Sequence, residues 1–214
     1  MTLALLIAAT ISAAQTYPQK STTIDIGEKS IHVPFPNGYC LPKGREIAEA
    51  QLLAAADNHN ITLLTLMDCR KSAKKDRYLI VKTPISAVNG SFDRSELITG
   101  VSEPKISEGL DRKLQSGEIG KEVSERLSDV RNEKVGMDVA FRTRGHDDVC
   151  AYMGGNAVYS VGSNSSNRAV AVCITVTNHK ALSLNAFRIT GDKDAFVSML
   201  VWLKSWAVQL RPAN

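Results

Sequence analysis

No stretch of this 214-residue chain stays apolar for the roughly 18 to 20 residues that a membrane-spanning helix requires. Its four cysteines, Cys40, Cys69, Cys150 and Cys173, include no C-x-x-C pair. That spacing argues against a zinc ribbon and against a thioredoxin-like redox centre. The G-x-S-x-G elbow, the H-E-x-x-H helix, the Walker loop and the G-x-G-x-x-G turn are all missing, so no nucleophile, metal or nucleotide motif announces an enzyme, and no cofactor is implied. A formal net charge of +4, mixed in sign along most of the chain, lacks the clustered basic face of a nucleic-acid partner. Internal repeats and long low-complexity tracts are missing too.

What is present begins at the N-terminus. Residues 1–14 (MTLALLIAATISAA) carry no charged side chain and end in small residues, with Ser12 and Ala14 at the positions a signal peptidase reads. The segment reads as a signal peptide cut between Ala14 and Gln15, although no Lys or Arg precedes the apolar run. The alternative is a strand or buried helix opening a cytosolic domain. No cysteine follows the run directly, so a lipid-anchored form is not expected and the mature chain is expected to be soluble, periplasmic or secreted. After a polar tether at residues 15–21, residues 22–214 are read as a single α+β domain. The roughly 200 residues left after cleavage suffice to bury about 70% of the unfolded surface in one core.

An even cysteine count behind an export signal points to disulfides. Of the three possible pairings, Cys40–Cys69 and Cys150–Cys173 are favoured, because each brackets one local unit. Residues 22–34 alternate around a turn at Gly27, Glu28 and Lys29, which predicts an opening hairpin. The segment PFPNGYCLPKG is an irregular loop carrying Cys40. Residues 45–58 have helical composition, with Ile47, Ala50, Leu53 and Ala54 on one face, and residues 61–68 and 78–83 read as strands.

Residues 93–133 are the most charged part. Gly100, Pro104, Gly109, Gly117 and Gly120 are expected to divide them into short helical pieces, with narrow stripes at Leu110 and Leu114 and at Ile119, Val123, Leu127 and Val130. From Val135 the pattern turns to β. Met137, Val139 and Phe141 alternate, Gly154-Gly155-Asn156 reads as a hairpin turn, and residues 162–167 (GSNSSN) read as a polar loop. Val170, Val172, Ile174 and Val176 alternate up to a turn at Asn178-His179, completing an antiparallel meander. The last element is an amphipathic helix carrying Phe196, Met199, Leu200, Leu203, Trp206, Ala207 and Leu210, stopped by Pro212 and expected to cover the sheet.

Chemistry-bearing candidates are few. His146 and Asp148 in Gly145-His146-Asp147-Asp148 hold the residue types of a metal site or of a base with its orienting carboxylate; a polar turn is the plainer reading. His32 and His179 are the histidines that folding would have to bring to them, whereas His59 suits a helix end. The basic run at residues 70–77 reads as a solvated loop, or as a contact for anionic lipid or polysaccharide. Sequons stand at Asn60, Asn89 and Asn164.

This order of elements, with Pro36-Asn37-Gly38-Tyr39 in VPFPNGY and the closing strand–strand–helix, resembles the PsbP/Mog1-like fold, an α-β-α sandwich of photosystem accessory proteins and a nuclear-transport factor. The resemblance covers most of the mature chain in element order. It implies a largely antiparallel sheet flanked by helices, and it tilts the functional reading toward a non-enzymatic accessory or binding protein with an unidentified protein or small-ligand partner in the cell envelope. The alternative is an extracytoplasmic hydrolase or metal-dependent enzyme centred on His146 and Asp148. The cysteines and export signal depart from the cytosolic members, and no family metal or partner site carries over to a numbered residue.

Overall fold

A computed structural model describes residues 20–70 and 76–213. The proposed signal peptide, most of the tether and the middle of the basic run lie outside the described residues. The elements are strands β1 (Ser21–Ile26), β2 (Lys29–Pro34) and β3 (Tyr39–Cys40), helix α1 (Arg45–Ala55), strands β4 (Asn60–Asp68) and β5 (Arg77–Pro84), helices α2 (Arg94–Ser102), α3 (Pro104–Gln115) and α4 (Glu118–Arg131), strands β6 (Val135–His146), β7 (Ala151–Val161), β8 (Asn164–Thr177) and β9 (Lys180–Ile189), helix α5 (Ala195–Ala207) and strand β10 (Arg211–Pro212). The chain thus forms an α+β fold with antiparallel sheets flanked by helices. A seven-stranded sheet has the order β3-β4-β5-β9-β8-β7-β6, and a small one has the order β1-β2-β10.

The period-2 alternation of the strands sorts their side chains onto two faces. On one face, Leu66, Leu79, Val81, Ala171, Leu182 and Leu184 are buried under α5 and under the opening hairpin. Phe196, Leu203 and Trp206 supply the apolar stripe of α5, with Leu203 fully buried, as the helical spacing predicts. The Trp206 indole donates to the Pro34 carbonyl at 2.8 Å, which fastens the small sheet to the large one. Leu210 follows the helix into the same core. Pro212 is not the stop the sequence suggests, since α5 already ends at Ala207; Arg211 and Pro212 instead pair with His32 and Ile31 of β2.

The meander closes through two tight turns. Asn178 and His179 take left-handed φ angles of 50° and 63°, the backbone a two-residue hairpin of this twist demands. Residues 162–167 are not a six-residue loop: the turn is confined to Gly162 and Ser163, and β8 already starts at Asn164. The larger correction concerns Gly154-Gly155-Asn156. These residues do not turn the chain; they lie in the middle of β7, paired on one side with β6 and on the other with β8. Glycine serves there to let another group approach, the second common reason for glycine in a strand. A Cβ on Gly154 would stand 2.9 Å from the Phe196 ring.

The central helices are also longer than the glycines suggest. Pro104 opens α3 and Gly117, at φ 79°, separates α3 from α4, but Gly100, Gly109 and Gly120 sit inside helices. At Gly120 the reason is proximity, since a Cβ would come within 2.7 Å of the Met137 carbonyl oxygen on β6. Along α4, Ser124 and Ser128 accept from the backbone N–H groups of Met137 and Val135 at 2.7 and 2.9 Å, capping the open edge of the sheet. Of the apolar stripes, Leu114 and Leu127 are buried, whereas Val130 is exposed. On α1 only Ala50 is fully buried and Ile47 is exposed, so its apolar face is narrower than its sequence suggests.

Candidate ligand-binding cleft

The bridge Cys150–Cys173 is formed, with Cα atoms 5.2 Å apart, and ties the start of β7 to β8. Cys40 and Cys69, in contrast, are free thiols. The fold brings them together as the sequence leads one to expect, because β3 pairs with the end of β4 and the Cys69 amide donates to Gly38 at 2.9 Å. Burial, then a hydrogen bond with Cys69, pushes the Cys40 thiol up to about 11. Of the basic run, Arg70 and Arg77 both reach the buried carboxylate of Asp68, Arg77 at 3.3 Å, so its described ends are structural ion pairs. The side chain of Asn60 is half-buried and donates to Asp57, while Asn89 and Asn164 are exposed.

Around His146 the structure builds a loop clamp. His146 ends β6 with its side chain exposed and its ring in no hydrogen bond among the described residues. Asp148 is solvent-exposed and 3.4 Å from Lys204 of α5. The organising residue is Asp147, which the sequence reading passed over. It accepts from the amides of Val149 and Cys150 at 2.8 and 3.0 Å, from the Tyr152 hydroxyl at 2.7 Å, and pairs with Lys204 at 2.9 Å. No group of three or more metal-ligating side chains occurs among the described residues, so neither His32 nor His179 completes such a cluster here.

Burial pushes the Asp147 carboxyl up, but Lys204, Tyr152 and the two amides outweigh it and hold it down at about 2. A carboxylate depressed in the folded state stabilises fully above its unfolded value of about 4 and loses that contribution as pH falls through its folded value. Asp147→Asn is therefore expected to cost about 1 to 2 kcal/mol near neutrality and to flatten the acid limb of stability between about pH 4 and 2. Urea unfolding at several pH values checks this, and identical pH profiles for the two proteins would remove Asp147 from the account.

The second face of the sheet is only partly covered, and a cleft lies there. Register sets its floor in rows across the strands. One row runs Tyr78, Phe187, Val170, Gly155 and Phe141. The next holds Ile80, Asn185, Val172 and Met153, and on the opposite side of the first lie Arg168, Ala157 and Val139, followed by Tyr159 and Met137. Helices α1 and α4 form the roof over one end, where a cavity of about 380 Å³ opens. A second cavity of about 700 Å³ runs on under Leu97 and Val101 of α2 and Leu114 of α3. Phe141, Val172, Ile119 and Asn185 line both, so the two are neighbours along one face. Gly155 places no side chain in the floor, and Tyr159, Phe187, Val139 and Phe141 remain only half-buried.

The polar groups of the cleft divide into two sets. Those at its rim are already paired. Lys82 meets Asp57 at 2.6 Å, and Glu122 is met by Arg126 and His59, each at 3.1 Å. Burial raises Asp57, but the Lys82 contacts outweigh it and its carboxyl stays low. At the α4 end the balance is different. Arg168 lies over the Tyr159 ring at 4.7 Å from its centroid and Arg131 lies on the same ring at 5.8 Å, with no carboxylate paired to either among the described residues. Arg168 donates once, to the Tyr78 hydroxyl at 3.0 Å. The Nε atoms of both arginines and the Tyr159 hydroxyl are shielded from solvent without a hydrogen-bond partner. Tyr78 stacks on Phe187 at 4.5 Å, and its burial raises the phenol. Sequence reasoning placed His59 at a helix end and found neither the arginines nor the tyrosines. The signal for Tyr78, Tyr159 and Arg168 was the alternation of β5, β7 and β8, and that does not say which residues of separate strands meet.

No family model matches the chain, and no curated protein matches it. The fold is weakly similar to three solved structures. The cyanobacterial PsbP (CyanoP) of Synechocystis sp. PCC 6803 has 11% identity and a TM-score of 0.40, covering 94% of this chain and 98% of that one. The Ran-binding protein Mog1p of Saccharomyces cerevisiae has 7% identity and a TM-score of 0.39, with 90% and 95% covered. LpqN of Mycobacterium tuberculosis, involved in cell envelope biogenesis, has 12% identity and a TM-score of 0.32, with 92% and 93% covered. At these values the likeness concerns the fold alone. Among the described residues, no helix is long and apolar enough to cross a membrane.

Proposed function

We propose that this chain is an exported, non-catalytic binding protein, a single domain over residues 22–214 behind a cleaved signal peptide, whose ligand occupies the cleft between the α1/α4 layer and the sheet. The observation that carries the reading is the cleft itself: a partly covered, largely apolar cavity of about 380 Å³ with buried donors left unpaired among the described residues. Concave apolar sites of roughly 300 to 1,000 Å³ with a few placed polar groups are the usual form of a small-molecule site. An unpaired buried donor costs about 1 to 3 kcal/mol, so a stable fold that keeps several of them favours a ligand that supplies the acceptors.

The reading is tested on protein recovered from its native host. Intact mass is expected to correspond to a chain beginning at Gln15; a chain retaining Met1 would overturn export. An apolar fluorescent dye is expected to bind wild type at one site. Ile119→Trp, a change on α4 that fills the junction of the two cavities, is expected to weaken the dye at least tenfold with the unfolding midpoint nearly unchanged. Equal dye binding by the two proteins would overturn the cleft as the site.

A further inference from the structure

The two ends of the cleft differ in chemistry, and that difference specifies a class of ligand. At one end, Arg131 from α4 and Arg168 from β8 both lie against the ring of Tyr159. Two guanidinium groups packed on one ring repel each other, and cation–π contact of about 1 kcal/mol at such sites does not replace a counter-ion. Among the described residues neither group has a carboxylate partner, and the Tyr159 hydroxyl beside them has no hydrogen-bond partner. Glu122, the acidic side chain of α4 that lines the cleft, is taken by Arg126 and His59, and Asp57 by Lys82. The remaining acidic side chain of the lining, Glu49, is exposed on α1, where its charge acts on Tyr78, the phenol to which Arg168 donates. This end therefore presents both positive charge and directed donors, the features that recognise an anion.

From that end the floor becomes apolar. Along β8 the cleft-facing residues run Arg168, Val170, Val172, Ile174, flanked by Phe141 and Met153 from β6 and β7. From the Tyr159 row, opposite Ser166, to Ile174 is eight residue steps along β8, about 26 Å of strand. Gly155 adds no side chain to the floor midway, and the roof over the far end is Leu97, Val101 and Leu114. A site with a cationic, donor-rich head and a long apolar groove is complementary to an amphiphile that has one anionic headgroup and an unbranched apolar tail.

We infer that the cleft binds such an anionic amphiphile, a long-chain carboxylate or phosphate monoester, with its head on Arg131, Arg168 and Tyr159 and its tail along β8 toward Ile174. This inference rests on the cleft being the binding site, as proposed above, and adds the class of ligand.

Calorimetric titration of the full chain with dodecanoate, dodecyl phosphate and dodecanol, each below its micellar concentration, decides it. Either anionic compound is expected to bind one to one and at least tenfold more tightly than dodecanol. Arg168→Gln and, separately, Arg131→Gln are expected to weaken the anionic compound at least tenfold while leaving dodecanol within twofold. The comparison of ligands on wild type needs no variant to fold. Dodecanol equal to the anions, or anion binding untouched by both substitutions, would overturn the headgroup assignment while leaving the cleft as an apolar site. Absence of binding by all three compounds, in protein whose dye binding is lost in Ile119→Trp, would overturn the amphiphile and not the site. Tight binding of inorganic phosphate alone, unaided by a tail, would overturn the groove's part in recognition.

Discussion

Trp206→Ala is expected to lower the unfolding free energy by about 5 kcal/mol, at the upper end for a buried tryptophan. Two losses add at this position. The side chain is 2% exposed and packs with Leu203, Phe196 and Trp202 between α5, the seven-stranded sheet and the opening hairpin, so its removal leaves a cavity at the junction of three layers. The Pro34 carbonyl also loses its 2.8 Å donor in a site that water reaches poorly, which adds about 1 kcal/mol or more. A loss of this size approaches the whole stability of a marginal domain, so the variant is expected to express poorly or melt near ambient temperature. Trp206→Phe keeps most of the ring, drops only the donor and part of the volume, and is expected to cost about 2 kcal/mol. Urea unfolding of the Phe variant and of wild type settles the point if the Ala variant does not fold. A change below about 0.5 kcal/mol for either variant would mean that α5 presents this face to a partner instead of the core.

Gly155→Ala is expected to cost about 3 kcal/mol or more, although it adds a single methyl group. A Cβ at this position would stand 2.9 Å from the carbonyl carbon of Ala140 and closer still to its oxygen. The obstacle is the backbone of the neighbouring strand, which has no rotamer by which to yield, so β6 must shift away from β7. The ladder between β6 and β7 runs on both sides of this point, from Val135–Val161 to His146–Ala151, and carries the edge to which α4 is fastened. The same change is expected to weaken any ligand in the cleft, because residue 155 lies in its floor between Val170 and Phe141. Thermal unfolding beside Gly191→Ala, a loop glycine without positive φ and with nothing within 4 Å of its would-be Cβ, gives the control. Equal melting temperatures would show that β7 tolerates side chains there and that the approach of β6 is not required.

Elements whose signal is local were legible in the chain. The opening hairpin, the two strands after α1, the turn at Asn178-His179 and the closing helix each announce themselves within a few residues, by period-2 or period-3.6 patterning and by turn residues that tolerate positive φ. Cys150 and Cys173 met as the paired strands predict. Glycine was the residue that misled. Gly154 and Gly155 read as a turn, and Gly100, Gly109 and Gly120 as helix breaks, because sequence shows that a glycine is present and not which of its two uses applies. Gly162 is needed for its φ of 57°, while Gly120 and Gly155 are needed for the room they leave to a backbone distant in sequence. That choice depends on what lies opposite, which is a tertiary fact.

The same division holds for the site. By itself the sequence determined the α+β class, the alternating strands and the apolar stripe of α5, since each follows from hydrophobic periodicity acting over a dozen residues. It also singled out His146 and Asp148, whose neighbour Asp147 the structure places at the centre of a loop clamp. The cleft is assembled from Arg131 on a helix, Tyr159 and Arg168 on paired strands, and Tyr78 on a strand two places away in the sheet. Nothing local distinguishes these from ordinary surface arginines and core tyrosines. Only the strand order β5-β9-β8-β7-β6, together with a helical layer that caps the edge of the sheet but not its middle, brings them to one face and leaves their donors unpaired. Strand pairing and layer packing join residues far apart in the chain, so the chemistry of this site is a property of the fold, built from side chains that each look unremarked in the sequence.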